Sequence, residues 1–295
     1  MQPRTGDGGS GMRREQVVAQ IAASILENIP DPFDLILIEK THRLKPDGSP
    51  RDLQPSEIVL LQELEHFNKL LVNMKSSLSK LKKALVGEVP MDNALEILFN
   101  SLFAGWIPAA WRKLSPSTQK SLADWLVHFK RRFVQYRNWV EKEPAVIWMA
   151  GLHVPEAYLT ALIQTAGRKM GWPLDKTAIV TKVTNMMDPD QVKERPEMGC
   201  YISGLSMEGA SWNLETGCLA RQRQKELVVD MPIIHLIPVE AHRKKMQNTL
   251  EVPVYVTQAR RNRMGEGFVF LANLPTQDHP SHWILQGVCL VLNTS

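Results

Sequence analysis

The chain has 295 residues, 44% hydrophobic and 22% charged, with a formal net charge of +4 and a pI near 8.9. That is enough apolar material for one large domain or two modest ones, and too weakly basic to point to a nucleic-acid partner without a clustered footprint. The three cysteines, Cys200, Cys218 and Cys289, form no close pair of zinc ligands and no dense disulfide set, so reduced thiols are expected.

Residues 1–12 have the Gly, Ser and charge content of a disordered leader. The first 14 residues lack the apolar core of a signal peptide, and no apolar run approaches the roughly 20 residues that cross a bilayer, so a soluble intracellular protein is expected. Val17, Val18, Ile21, Ile25 and Leu26 predict a helix over 13–28, stopped by Pro30 and Pro32. Residues 33–55, broken by Pro46, Gly48, Pro50 and Pro55, read as a linker.

From Ser56 a long amphipathic helix is predicted, with Leu61, Leu64, Phe67, Leu71, Met74, Leu78, Leu81 and Leu85 in one stripe and Gly87 and Pro90 as its end. Further helices are expected over 92–103 from an Asp cap, over 117–142, and over 155–170. After Thr177 the pattern changes to short β-branched or aromatic runs, 178–183, 199–207, 228–239, 252–257, 267–272 and 282–292, punctuated by glycine and proline. The fold class predicted is α+β: an N-terminal helical bundle with long amphipathic helices, then a small antiparallel β-barrel.

Motifs for chemistry are sparse. A phosphate-binding loop needs glycines followed by Lys and Ser/Thr; no such run occurs, and the Gly-rich stretch 6–11 leads into Met12 and Arg13. His279 and His282 read as a turn histidine and a strand-edge histidine, not as metal ligands. Cys200 with His235 or His242 is conceivable as a nucleophile and base, but Cys200 sits in a strand-like alternation and reads as a buried structural thiol. The basic clusters 221–225, 242–245 and 260–263 fall between the strands, as solvated loops do, and suit an acidic protein surface better than nucleic acid. Of the eight tryptophans, most are expected in the core, with one or two available as docking anchors. No catalytic, cofactor-binding or metal-binding residue is assigned.

Several blocks, taken in order, resemble a known family. They are Ile25 to Asp34 (ILENIPDPFD); Leu61 to Leu71 (LQELEHFNKLL); Ser76 to Leu85 with Gly87; Ile107, Pro108 and Trp111; and Trp148, Gly151, Pro155, Tyr158 to Thr160, Gln164 and Arg168. They continue with Gly199 to Leu205, Glu208 to Trp212, Met231 to His235, Val252 to Tyr255 with Thr257 and Arg260, and His282 to Leu285 with Gly287 and Val288. Together they resemble the C-terminal end of dynein heavy chains, and the terminal blocks look more axonemal than cytoplasmic. Two departures concern local packing: Leu152-His153-Val154 replaces an aromatic run, and Asn213 stands where Asp is usual.

The resemblance implies that 13–55 is a remnant of the small subdomain of the sixth AAA+ module with its linker, 56–176 the helical part and 177–295 the β-barrel part of the C-terminal domain. It implies a module capping the AAA+ ring of its parent polypeptide in an ATP-driven, minus-end-directed microtubule motor of the cilium axoneme, within the cytoskeleton of the cytoplasm. ATP and Mg²⁺ would belong to the parent's earlier modules, with no cofactor in this segment. Dynein intermediate and light chains and microtubules would be met through the parent complex, without membrane or nucleic acid. The alternative is a free-standing, non-catalytic adaptor or regulator with the same fold.

Overall fold

The computed structural model describes residues 13–241, 248–257 and 267–293. The expected leader, and the basic clusters at 242–245 and 260–263, lie outside them.

Helix α1 (Arg14–Asn28) precedes α2 (Leu35–His42), which occupies the segment expected to be a linker. Asp34 starts α2 by accepting a hydrogen bond from Leu37 N. The long helix α3 (Pro55–Leu85) begins with proline at its first position, where the missing N–H costs nothing. Then come α4 (Asn93–Phe103), α5 (Ala109–Arg112), α6 (Leu122–Glu141) and α7 (Pro155–Met170). Asp92 and Ser121 cap α4 and α6, and Gly171 ends α7 in the left-handed conformation at φ 71°.

Buried Val59, Leu60, Leu64, Phe67, Leu70, Leu71, Met74, Leu78 and Leu81 make α3 the axis of the helical half. Leu61 and Leu85, expected in that stripe, are only partly buried. Polar side chains also enter this core. Glu63 is buried on α3 and accepts hydrogen bonds from the His153 N–H at 2.6 Å and the Val154 N–H at 2.8 Å, with the equally buried Arg132 of α6 close by.

The strands are β1 (Val146–Trp148), β2 (Thr177–Val183), β3 (Cys200–Ser203), β4 (Ser206–Glu208), β5 (Ser211–Asn213), β6 (Cys218–Ala220), β7 (Val228–Asp230), β8 (Ile234–Glu240), β9 (Thr249–Thr257), β10 (Phe268–Pro275) and β11 (Cys289–Asn293). They form a four-stranded sheet in the order β1-β3-β8-β2, a five-stranded sheet β10-β9-β11-β4-β7, and the hairpin β5-β6.

The predicted antiparallel barrel is therefore corrected on two counts. The β1–β3 and β11–β9 pairs are parallel, and no backbone ladder among the described residues closes the sheets. Where β2 meets β10, the Thr181 hydroxyl takes the place of a ladder, donating to Asn273 O at 2.9 Å and accepting from Asn273 N at 2.6 Å. A side chain bridges this seam, so each sheet keeps its own edges.

The helical and β halves also exchange elements. Strand β1 comes from the helical half and pairs with β3. Helix α8 (Pro280–Leu285) occupies the start of a run expected to be a strand. Proline at its first position and His279 as its cap explain that start.

Trp148 joins the halves. Its ring carries Arg131 over one face at 4.2 Å and His128 edge-on at 4.9 Å. Gly151 and Gly204 pack against the same ring so closely that an added Cβ would lie 2.5 and 2.4 Å from it.

Candidate functional site

Helix α3 carries a second stripe beside its core stripe. Ile58, Leu61, Glu65, Val72, Ser76 and Lys80 recur at steps of three, four and seven, which brings them to one side of the helix. Three depressions lie along that side. The first, about 580 Å³, runs between α2 and α3 and includes Leu35, Leu53, Ile58, Leu61 and Glu65. The second, about 520 Å³, shares Glu65 with it and adds Pro32, Val72, Asn73 and Ser76. The third, about 270 Å³, shares Asn73 and Ser76 with the second and opens between α3, α4 and α5.

These adjoining depressions make a furrow along α3 from Ile58 to Lys80, about 33 Å at the rise of an α-helix. Its walls and rims expose apolar side chains: Ile58, Val72 and Ile97, and beside it Ile36, 82% exposed on α2. The charges along it are largely arranged in pairs, Glu39 with Arg43 and Glu65 with Lys69, each one helical turn apart. Arg51 forms a two-pronged ion pair with Glu57 beneath the α2 end; burial works to raise the Glu57 carboxyl, but Arg51, Gln54 N–H and His42 together hold it below its ordinary value. The result is a mixed channel, in which exposed apolar side chains alternate with amides, hydroxyls and charges that are mostly paired.

The other residues singled out in the sequence are dispersed. Cys200 is fully buried, and burial pushes its thiol up to about 12. In the β3–β8 register Tyr201 stands opposite His235 with the rings 4.8 Å apart, so Cys200 projects from the other face of the sheet and His235 cannot serve it as a base. The Nε2 atom of His235 pairs with Met198 O at 2.9 Å, and His242 lies outside the described residues.

His279 caps α8, and His282 sits within that helix, not at a strand edge; its ring meets Trp283 at 4.8 Å. Among the described residues no three of His, Cys, Asp and Glu converge as metal ligands, and no helix is long and apolar enough to cross a membrane. Arg221, Arg223 and Lys225 lie in the connection before β7, all three exposed to solvent.

Trp111, Trp125, Trp139, Trp148 and Trp283 are core residues, whereas Trp106, at 67% exposure, is displayed after α4. The two departures from the family pattern are accommodated. Leu152 is buried and His153 stacks on His66 at 4.3 Å. The Asn213 side chain accepts from Glu215 N and Thr216 N, as an aspartate would in that turn.

Sequence reasoning misses the furrow. Its signal is the seven-residue recurrence Ile58–Glu65–Val72, which gains meaning only when α2 and Pro32 are folded against it.

The family model for the C-terminal domain of dynein heavy chains matches residues 1–292. Human dynein axonemal heavy chain 10 is 53% identical over 295 residues, covering 100% of this chain and 6% of that protein. The dynein-1-alpha heavy chain of the flagellar inner arm I1 complex of Chlamydomonas reinhardtii is 51% identical over 294 residues, covering 99% and 6%. The flagellar outer arm dynein beta chain of the same organism is 34% identical over 295 residues, again covering 99% and 6%. The chain thus spans about 6% of the length of these relatives. Trp148, Gly151 and Gly204, which meet at the junction of the two halves, fall in the sequence blocks that carry the resemblance, and the chain belongs to the family of dynein heavy chains, within their C-terminal domain.

Proposed function

We propose that this segment braces the AAA+ ring of a parent axonemal dynein heavy chain, using the furrow along α3 as a docking face. The parent is an ATP-driven, minus-end-directed microtubule motor of the cilium or flagellum. ATP and Mg²⁺ are handled by its earlier modules, and intermediate chains, light chains and microtubules are met through the parent complex.

The observation that carries this reading is the furrow itself: a channel of about 33 Å with exposed Ile58, Val72 and Ile97, in a chain whose relatives extend far beyond it. Exposed apolar side chains such as these are unfavourable in water and are stabilised by a partner of matching shape. A brace that fits one ring state better than another shifts the equilibrium toward it, and nucleotide state then alters the brace's own docking by the same factor.

The test is Ile58→Glu with Val72→Glu in the parent motor, read by microtubule gliding speed and by ATPase with and without microtubules. Both side chains are exposed, so the isolated segment should melt at nearly the same temperature as the unaltered one. Gliding speed or microtubule stimulation of ATPase should change. If both remain as before, the furrow does not dock and the brace reading fails.

A further inference from the structure

Helix α6 has a face that the fold leaves open. Val127 and Val134, 65% and 43% exposed, lie along its middle, with Lys130 and Arg137 on one flank and Arg131 on the other. All three cations are exposed, and among the described residues none pairs with a carboxylate. Lys130 reaches the Asn28 amide oxygen at 3.4 Å, and Arg137 approaches the Phe133 ring at 5.9 Å. The Arg131 guanidinium rests on the Trp148 indole at 4.2 Å. A guanidinium stacked in this way is already oriented, so less freedom is lost when it meets a carboxylate. The local field is positive. After burial, Lys120, Arg131 and Arg132 each lower the His128 imidazole, with Asp124 opposing them. Asp124 is itself engaged by the Ser121 hydroxyl at 2.7 Å, and Glu141 stands at the far end of the helix.

We propose that this face seats an acidic amphipathic helix of a separate polypeptide, its apolar side chains on Val127 and Val134 and its carboxylates at Lys130, Arg131 and Arg137. Three observations point to that occupant. Cations without acidic partners, set beside exposed valines, suit a surface that brings carboxylates and apolar groups together. The spacing suits a helix: Val127 to Val134 and Lys130 to Arg137 each span seven residues, the repeat that a second helix laid along the first would meet. The position suits a separate chain. Phe67 of α3 meets Phe129 and Tyr136 of α6, and it stands nine positions from Ile58, half a turn around α3. Phe129 and Tyr136 stand in turn on the side of α6 opposite Val127 and Val134. The α6 face and the α3 furrow therefore look in opposite directions, and a surface seated on the furrow leaves the α6 face open.

The experiment uses the 295-residue protein and a fluorescent peptide of three heptads, with leucine at the first position of each, glutamate at the fourth and fifth, and alanine and glutamine elsewhere. Binding is read by anisotropy at low salt. It should be saturable, and roughly tenfold weaker both when glutamine replaces the glutamates and when the same composition is scrambled. Vesicles of phosphatidylcholine with phosphatidylserine should not compete. Lys130→Glu with Arg137→Glu should weaken binding by about tenfold or more and should favour the peptide carrying lysine in place of glutamate. Both positions are exposed, so the melting temperature should stay nearly the same.

A scrambled peptide that binds equally well would overturn the helical occupant, and an equally tight glutamine peptide would overturn the charge argument. Unaltered binding by the double variant, or no preference for the lysine peptide, would overturn the α6 site. Vesicles that displace the peptide would make this face a membrane surface and overturn the proposal, as would the absence of saturable binding. Lys130 and Arg137 lie outside the furrow, so these results stand whether or not gliding speed responds to the substitutions at Ile58 and Val72.

Discussion

The Tyr136 hydroxyl lies 2.7 Å from Oε2 of Glu63 and 2.9 Å from the Gly151 carbonyl, sharing its single hydrogen between two acceptors at the centre of the helical half. Burial, then the Glu63 charge, pushes the phenol far above its ordinary pKa, so it remains a donor. The same carboxylate receives two backbone N–H groups from the turn before α7 and faces buried Arg132. Tyr136→Phe removes one donor of three and should cost about 1.5–3 kcal/mol in urea unfolding. Glu63→Leu strands two N–H groups and a buried guanidinium, and should cost about 3–5 kcal/mol. Because both act on one network, the double variant should be less destabilised than the sum of the two.

Trp148 and Gly204 give a sharper prediction. Gly204 has φ 83°, and a Cβ there would stand 2.4 Å from Cδ1 of the indole. Gly204→Ala therefore meets both a backbone conformation that alanine resists and a ring held by Arg131, His128 and Gly151. A loss of about 2 kcal/mol or more is expected. Gly217→Ala, also at positive φ but with open space around its Cβ, should cost about 1 kcal/mol. Comparing the two by thermal melting separates the clash from the dihedral.

Two histidines set a pH window. The His153 imidazole is lowered to about 4, mainly by burial and further by His66 and Arg132; His128 is also lowered to about 4, by burial and then by Lys120, Arg131 and Arg132. In the unfolded state both titrate near about 6.5. Between these values the unfolded state binds more protons, so stability is complete above about pH 6.5 and is lost as pH falls toward 4. Carboxylates held low by cations, such as Asp31 beside Lys75, act mainly below that window. His153→Gln should flatten the stability profile between about pH 6.5 and 4 without changing it above about pH 7, as urea midpoints at stepped pH would show.

The parts of this fold that are legible in the sequence are those fixed by local chemistry. Helix α7 keeps its predicted limits because Pro155 suits only a helix's first turn and Gly171 readily ends one. The α3 core stripe follows from period except at Leu61 and Leu85, which are only partly buried. The segment holding α2 reads as a linker because prolines flank it closely, although Asp34 is available as its cap. The run from His282 to Leu285 is apolar enough for a strand, and the Pro280 start outweighs that. Strand β1 has three residues and exists only through pairing with residues 201–203. The β-rich half is recognisable from its composition, but closure of a barrel depends on which edges meet, and at Thr181 and Asn273 a hydroxyl replaces the ladder. The furrow requires α2, Pro32, α4 and α5 to gather around α3, which no window of the sequence contains.

Thiol chemistry tests the β half directly. Cys200 and Cys289 are buried, and Cys218 is partly exposed at the start of β6. Thiol alkylation proceeds through the thiolate. At about pH 8 the Cys200 thiol, pushed up to about 12 by burial with Glu143 adding to the effect, supplies almost none. Tyr158, beside the sulfur, donates its hydroxyl to Glu143 at 2.7 Å, which keeps the cluster closed. Brief iodoacetamide treatment of the native protein, followed by peptide mass mapping, should therefore label Cys218 first and leave Cys200 unmodified until urea unfolds it. Cys200→Ser would put a hydroxyl where the sulfur is fully buried and should lower the melting temperature, while Cys218→Ser should leave it nearly unchanged. Rapid native labelling of Cys200 would show that β3 opens from the sheet, and would undo the reading of that thiol as closed to solvent.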